Sequence, residues 1–306
     1  MARVIKNVAI AGATGTLGSH ILRALVDTRA FNITVLTRGS NKPLPTGVTS
    51  KEVDYTSLPS LLDAVRGQDA VIDSTYSQDA EGPCLLIDAC IAAHVYRYIP
   101  PEFGSDPLNE AVQKLPFFRR KVTTTKYLFD KVNVEDGLDL TWTAIACGPF
   151  LEPPLEDGSL GIDLKRKEVT LFGDGTTVSP WSTLDAVGKA TAQVLLKPEE
   201  TKNRVLYISS VNLSQSRLGG LAEEALGGEW RADTLDVQKL HDDAQARMQK
   251  GEMDMEVIFA FLKYSMSSET YTYPWTKDDN DLLNVERLTE EQVKSIILEK
   301  ARQEVN

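Results

Sequence analysis

The chain has 306 residues and a formal net charge of −11, from 33 lysines and arginines against 44 aspartates and glutamates. A field of that sign repels phosphate backbones and anionic lipids, so it argues against nucleic acid or a membrane surface as the main partner. The three cysteines lack metal-ligand spacing, and no apolar run reaches membrane-spanning length. We expect reduced thiols, no metal site, and a cytoplasmic protein that is a monomer or a homodimer.

A glycine-rich turn near the N-terminus is the most informative segment. The apolar strand Val8 to Ala11 leads into glycines at positions 12, 15 and 18, and a helical apolar stripe follows. Glycine permits the tight turn, a close approach of pyrophosphate to the main chain, and close packing of helix on strand. The helix N-terminus then offers N–H groups to phosphate. The loop predicts a dinucleotide site formed by Gly12, Thr14, Gly15, Thr16, Leu17 and Gly18.

The end of the second predicted strand indicates which dinucleotide binds. After Ile33 to Thr37 the chain reaches Arg38, where an NAD-binding protein usually has a carboxylate for the ribose hydroxyls. A guanidinium can instead pair with a 2′-phosphate, and Lys42 is close enough in sequence to add charge. The alternative is that Arg38 is a solvated surface residue. We predict NADPH as the cofactor.

Strands and helices then alternate at the spacing of a parallel, doubly wound sheet. Strands are predicted at 52–54, 70–74, 96–100 and 138–145, and helices at 57–65, 84–93 and 117–132. After residue 150 prolines and glycines break this pattern, and the region from 213 onward is mainly helical in character. We predict an α/β Rossmann domain over 1–150, to which 184–210 returns. A smaller, mainly helical substrate domain is predicted over 151–183 and 211–306.

Several segments in a common order carry a family resemblance. Residues 97–106 read Arg-Tyr-Ile-Pro-Pro-Glu-Phe-Gly-Ser-Asp, and Gly148-Pro149-Phe150, residues 172–175 and residues 185–188 follow. With the glycine loop, they resemble the NmrA-like and isoflavone-reductase-like family of atypical short-chain dehydrogenases, most closely its fungal members. The likeness covers nearly the whole chain. It implies an NADPH-binding fold whose enzymes reduce aromatic or conjugated small molecules by hydride transfer.

The resemblance also implies a lysine with an acid/base role near the start of the helix after the fifth strand. In the family this lysine stands two residues before a Lys-Val pair, which here is Lys121-Val122, so the position holds Arg119. Arginine stays protonated and cannot shuttle a proton near neutral pH, although it can anchor a cofactor or stabilise an oxyanion. Lys121 lies about 200° further around an ideal helix and is expected to be a poor replacement. Arg119 and Lys121 are the catalytic candidates.

A second candidate pair has the Tyr-x-x-x-Lys spacing of ordinary short-chain dehydrogenases. Tyr127 and Lys131 would lie on one face of their helix, but roughly 10 to 15 Å along its axis from the end that should face the nicotinamide. The alternative is a packed tyrosine beside a solvated lysine.

Supporting positions follow from the carboxyl ends of the strands, where ligands bind in open α/β sheets. Asp54 could accept from the adenine amino group or serve a turn. Cofactor contacts are further expected at Ser74, Thr75, Glu102 and Phe103, unless these residues serve only their loops. An aromatic substrate wall is expected from Tyr76, Phe150, Tyr264, Tyr271, Tyr273 and Trp275. The alternative for such aromatics is the core.

Three functions remain open on the sequence alone. The first is an NADPH-dependent reductase of an aromatic, quinone-methide-like or conjugated carbonyl compound. The second is a regulator that senses nicotinamide dinucleotides without turning them over, which could tolerate loss of the lysine. The third is a redox-neutral enzyme on the same fold. We favour the reductase.

Overall fold

A computed structural model of the chain describes residues 3–39, 43–76, 80–134 and 139–303. Strands and helices alternate through the first half, and a short 3-10 helix at Pro116–Phe118 directly precedes α5. The elements of this half are β1 (Asn7–Ala11), α1 (Thr16–Thr28), β2 (Asn32–Thr37), β3 (Thr49–Glu52), α2 (Leu58–Val65), β4 (Ala70–Asp73), α3 (Glu81–Ala92), β5 (Arg97–Ile99), α4 (Glu110–Lys114), α5 (Arg119–Val134) and β6 (Thr141–Ala146).

The second half contains short strands between helices. Its elements are α6 (Glu152–Asp157), β7 (Ile162–Asp163), β8 (Glu168–Phe172), β9 (Val178–Trp181), α7 (Leu184–Leu196), α8 (Pro198–Thr201), β10 (Arg204–Tyr207), β11 (Val211–Ser214), α9 (Gln215–Leu226), β12 (Arg231–Leu235), α10 (Val237–Gln249), α11 (Met255–Met266), α12 (Asn280–Leu283) and α13 (Glu290–Gln303).

A parallel sheet of seven strands carries the fold, in the order β10-β6-β5-β4-β1-β2-β3. The chain order reverses between β1 and β4, and such a switch point is where open α/β sheets bind ligands. The doubly wound Rossmann architecture predicted from the sequence is confirmed. Two strands differ from their predicted bounds. β3 ends at Glu52, where the strand predicted at 52–54 was to begin, and β6 begins at Thr141 rather than at residue 138.

Burial explains why the central strands form. The four residues Val8 to Ala11 of β1 and all of β4 are buried, as expected of parallel strands covered by helices on both faces. Helices α1 and α7 pack together on one face. A Cβ built on Gly188 of α7 would lie only 2.6 Å from the carbonyl oxygen of His20, so the two helices approach each other at backbone distance.

The second half adds two small sheets beside the mainly helical C-terminal region. β9 pairs antiparallel with β11, and β8 pairs with both β7 and β12. β10 lies in the segment 184–210, which was predicted to return to the Rossmann domain, and it joins the edge of the large sheet next to β6. The division into two domains stays a prediction. Among the described residues, no helix combines the length and the apolar character needed to cross a membrane.

Candidate cofactor and substrate site

The glycine turn lies directly after β1, at the carboxyl edge of the sheet. Gly12 has φ +78°, in the left-handed region, and its carbonyl oxygen accepts a hydrogen bond from the Gly15 amide at 3.0 Å. A Cβ built on Gly18 would lie 2.0 Å from that same oxygen. The first turn of α1 therefore packs against the loop at a distance that only glycine allows.

The N-terminus of α1 has the properties of a phosphate-binding site. The helix runs 13 residues from Thr16, and Gly15 in the N-cap position provides no side-chain hydrogen bond to its first amides. Thr14, Gly15 and Thr16 are exposed, and Leu17 is half-buried. Uncapped amides at a helix N-terminus offer donors and a partial positive charge to an anion.

The residues expected at the adenine end differ in what they contact. Arg38 is exposed immediately after β2, and its charge opposes the rise that burial causes in the pKa of Tyr55. Lys42 lies outside the described residues. The Asp54 carboxylate accepts hydrogen bonds from the amide and hydroxyl of Thr56, at 2.9 and 2.7 Å, which lower its pKa. Asp54 therefore stabilises its own turn, which is the alternative given above for this residue.

Ser74 and Thr75 stabilise the end of β4 with their side chains. The Ser74 hydroxyl donates to the carbonyl of Ala11 at 2.6 Å, and the Thr75 hydroxyl donates to Asp73 at the same distance. Tyr98 donates to the other Asp73 oxygen at 3.1 Å. Burial raises the pKa of the Asp73 carboxyl group. Asp73 was not predicted as a site residue, because it is the last residue of an apolar strand and belongs to no recognisable motif.

An apolar cavity of about 330 Å³ opens beyond the carboxyl ends of β5 and β6. Phe103, Phe150 and Trp275 line it. Phe150 and Trp275 were expected at the substrate and Phe103 at the cofactor, and these roles stay predictions. Its aromatic lining consists of Phe103, Phe117, Phe118, Phe150, Phe259, Tyr271 and Trp275. Such a lining suits a flat, apolar ligand.

Lys121 is the one cationic side chain among the described residues that line the cavity. Its amine lies against Gly104, where a Cβ would stand 3.6 Å from Nζ. Burial lowers the pKa of this amine, and the carboxylate of Glu102 opposes that shift. Glu102 is itself buried and accepts a hydrogen bond from the Thr125 hydroxyl at 2.5 Å, so it stands behind the lysine rather than in the cavity.

Arg119 and Lys121 are placed differently with respect to the cavity, and which of them is catalytic stays a prediction. Arg119 is exposed and does not line the cavity, whereas Lys121 does. The two side chains point to different faces of α5, as helical rotation requires. The face that meets the cavity is the one with Lys121.

Two residues expected in the substrate wall lie outside this cavity. Tyr264 packs against His241 and Tyr271, with ring centroids 4.3 and 5.5 Å away, and does not line the cavity. Tyr76 follows β4 with 68 % of its surface exposed and also lies outside the cavity. Tyr271, which was expected in the same wall, lines the cavity.

The Tyr-x-x-x-Lys pair serves packing. The Tyr127 hydroxyl donates to Asp88 of α3 at 2.6 Å, and the Lys131 amine lies 3.9 Å from the same carboxylate. Both residues therefore connect α5 to α3, on the side of the helix away from the cavity. In the part of the chain that the structure describes, no group of three or more His, Cys, Asp or Glu is arranged to hold a metal ion.

Known proteins resemble this chain over most of its length. The model of the NAD(P)H-binding family matches residues 12–183. The oxidoreductase aprR of Aspergillus flavus is 36 % identical, over 80 % of this chain and 82 % of its own, and an NmrA-like family domain-containing oxidoreductase of Gibberella moniliformis is 27 % identical, over 76 % and 82 %. The crystal structure of isoflavone reductase superposes with a TM-score of 0.73 at 19 % identity, covering 95 % of this chain and 99 % of that chain. The chain therefore belongs to the NAD(P)H-binding family, within which it resembles the NmrA-like and isoflavone-reductase-like proteins.

Proposed function

We propose that the protein is an NADPH-dependent reductase of an aromatic, quinone-methide-like or conjugated carbonyl small molecule, with Lys121 as the proton donor. The observation that carries the proposal is the position of one lysine amine in an aromatic cavity at the carboxyl edge of the sheet. Burial lowers the pKa of this amine, which is the direction in which proteins tune lysines that transfer protons.

The described residues fit a nicotinamide dinucleotide. The glycine turn packs closely against the start of α1, and the uncapped amides of α1 would provide donors for the pyrophosphate. The exposed guanidinium of Arg38 would bind the 2′-phosphate, which distinguishes NADPH from NADH. When bound, the cofactor supplies a hydride.

Lys121 would complete the reduction by moving a proton. As the substrate carbon accepts hydride, negative charge develops on the conjugated oxygen or carbon at the other end of the π system. The Lys121 ammonium donates a proton to that atom, and the neutral amine then regains a proton from water. Because the amine lies among aromatic side chains, its interaction with the developing anion is stronger than in bulk water.

The cavity favours substrates that are flat and largely apolar. Aromatic, proline and aliphatic side chains form most of its walls, and the polar side chains that line it besides Lys121 are Ser105, Asp157, Ser159, Ser265 and Thr272. A cavity of about 330 Å³ is at the small end of ligand sites in proteins. We infer a substrate of one or two rings.

The sensor alternative is a protein that tolerates the loss of the family lysine at position 119. Lys121 supplies an amine to the cavity, which supports the reductase.

A deuterium-transfer experiment tests the proposed reductase. Aromatic enones and quinone methides are screened for binding to the NADPH-loaded protein by calorimetry, and those that bind are incubated with NADPH deuterated at nicotinamide C4. We expect mass spectrometry to show one deuterium on a carbon of the reduced product. Compounds that bind the loaded protein but never acquire deuterium would contradict a reductase.

A further inference from the structure

We infer that Arg120 binds an oxygen of the nicotinamide-nucleotide half of the dinucleotide, and so positions the cofactor from the side opposite Arg38. The inference rests on the proposed function in taking NADPH as the cofactor, but it does not require turnover. Arg120 is a positioning residue here, distinct from the proton donor Lys121.

A buried nitrogen of Arg120 has no hydrogen-bond partner. Among the described residues, Nη1 of Arg120 is one of three buried side-chain N or O atoms without a partner. Leaving a buried guanidinium N–H unpaired costs free energy, and native structures rarely do so without a reason.

Arg97 is a buried arginine with a structural role, and it provides a comparison for the hydrogen bonding of Arg120. It is fully buried, and its guanidinium donates to the hydroxyls of Thr141, Thr143 and Thr201 and to the carbonyl of Pro198, at 2.6 to 3.0 Å. All three of its nitrogens are paired. The unpaired nitrogen of Arg120 is therefore a property of its site and indicates a missing oxygen ligand.

The guanidinium of Arg120 lies between the carboxyl ends of β4 and β5. Its central carbon is 5.3 Å from the ring centroid of Tyr76, which follows β4. Its charge lowers the pKa values of Asp73, at the end of β4, and of Glu102, after β5. Arg120 therefore stands at the edge of the sheet where the dinucleotide is expected.

The strand order decides which half of the dinucleotide Arg120 would meet. The sheet runs β5-β4-β1-β2, with the glycine turn after β1 and Arg38 after β2. If Arg38 holds the adenosine end, the nicotinamide nucleotide extends from the turn toward β4 and β5. Arg120 lies on that side.

Arg120 is directed at the cofactor rather than the substrate. Lys121 lines the apolar cavity and Arg120 does not, which agrees with a rotation of about 100° between successive helical residues. A guanidinium binds phosphate and hydroxyl oxygens, both of which the nicotinamide nucleotide carries.

Binding of the whole cofactor and of its adenosine half tests the inference. Dissociation constants for NADPH and for 2′,5′-ADP, which lacks the nicotinamide nucleotide, are measured by calorimetry on the full chain. We expect Arg120→Met to weaken NADPH binding about 10- to 100-fold and to leave 2′,5′-ADP binding within about twofold. Arg38→Met should weaken both ligands, and Lys126→Met, which removes an exposed cation from the same helix, should change neither.

Arg120→Lys keeps the positive charge beside Asp73 and Glu102 but loses the planar pair of donors. We expect it to weaken NADPH binding by an intermediate factor and to leave 2′,5′-ADP binding unchanged. The inference is overturned if Arg120→Met and Arg120→Lys bind NADPH as tightly as the wild type, or if both lose affinity for 2′,5′-ADP as strongly as for NADPH. A wild-type protein that binds NADPH but reduces nothing would instead contradict the proposed reductase and leave this inference intact.

Discussion

The carboxylate of Glu102 raises the pKa of the Lys121 amine, against the burial that lowers it. The influence is mutual, because the ammonium of Lys121 also opposes the rise that burial causes in the pKa of Glu102. Glu102, which does not line the cavity, therefore favours the protonated form of Lys121.

This coupling predicts a shift in the pH dependence of turnover. A general acid is active only when protonated, so kcat should fall as pH rises through the lowered pKa of Lys121. Glu102→Gln removes the carboxylate that opposes the shift, and the fall in kcat should move to lower pH. Glu110→Gln, which neutralises an exposed carboxylate at the start of α4, should leave the profile unchanged. A profile that is the same in wild type and Glu102→Gln would contradict the coupling.

Cofactor preference should depend on Arg38. We predict that the protein binds NADPH more tightly than NADH, and that Arg38→Ala weakens NADPH binding about 10- to 100-fold with little effect on NADH, because only NADPH has a 2′-phosphate to pair with the guanidinium. Titration calorimetry measures both affinities, and Arg66→Ala, an exposed arginine at the end of α2, is the control. Equal affinities of the wild type for the two cofactors would refute this prediction.

Arg97 should contribute to stability rather than to the site. Burial lowers its pKa to about 10, and its hydrogen bonds link β5 to β6 and α8. Arg97→Lys cannot make the same set of bonds and should lower the free energy of unfolding by about 2 to 4 kcal/mol. The exposed Arg166→Lys should cost less than about 0.5 kcal/mol. Urea unfolding measures both, and similar small losses would show that the Arg97 network is unimportant.

The sequence predicted the elements whose signals are local. Val8 to Ala11, the glycine turn and the apolar stripe of α1 specify strand, turn and helix within one short segment, and the alternation of strands predicted the parallel sheet. The small sheets were harder to predict, because β12 pairs with β8 from some 60 residues earlier in the chain.

The site residues were harder to predict because they depend on orientation. The 3-10 helix at Pro116–Phe118 directly before α5 helps to set which face of α5 meets the cavity, and this phase cannot be read from the spacing of Arg119 and Lys121. The sequence left both the core and the substrate wall open for Tyr264, whose ring packs against His241 in the structure. Nothing in the sequence pointed to Arg120, because a buried donor without a hydrogen-bond partner can be recognised only in the structure.

We propose that Lys121, not Arg119, supplies the proton. A comparison of kcat and of the dissociation constant of NADPH in Lys121→Met and Arg119→Met, with a substrate identified by deuterium transfer, tests this role. We expect Lys121→Met to lower kcat by about 100-fold or more while NADPH binding stays within about threefold, and Arg119→Met to change neither value. A larger loss of kcat in Arg119→Met than in Lys121→Met would contradict it.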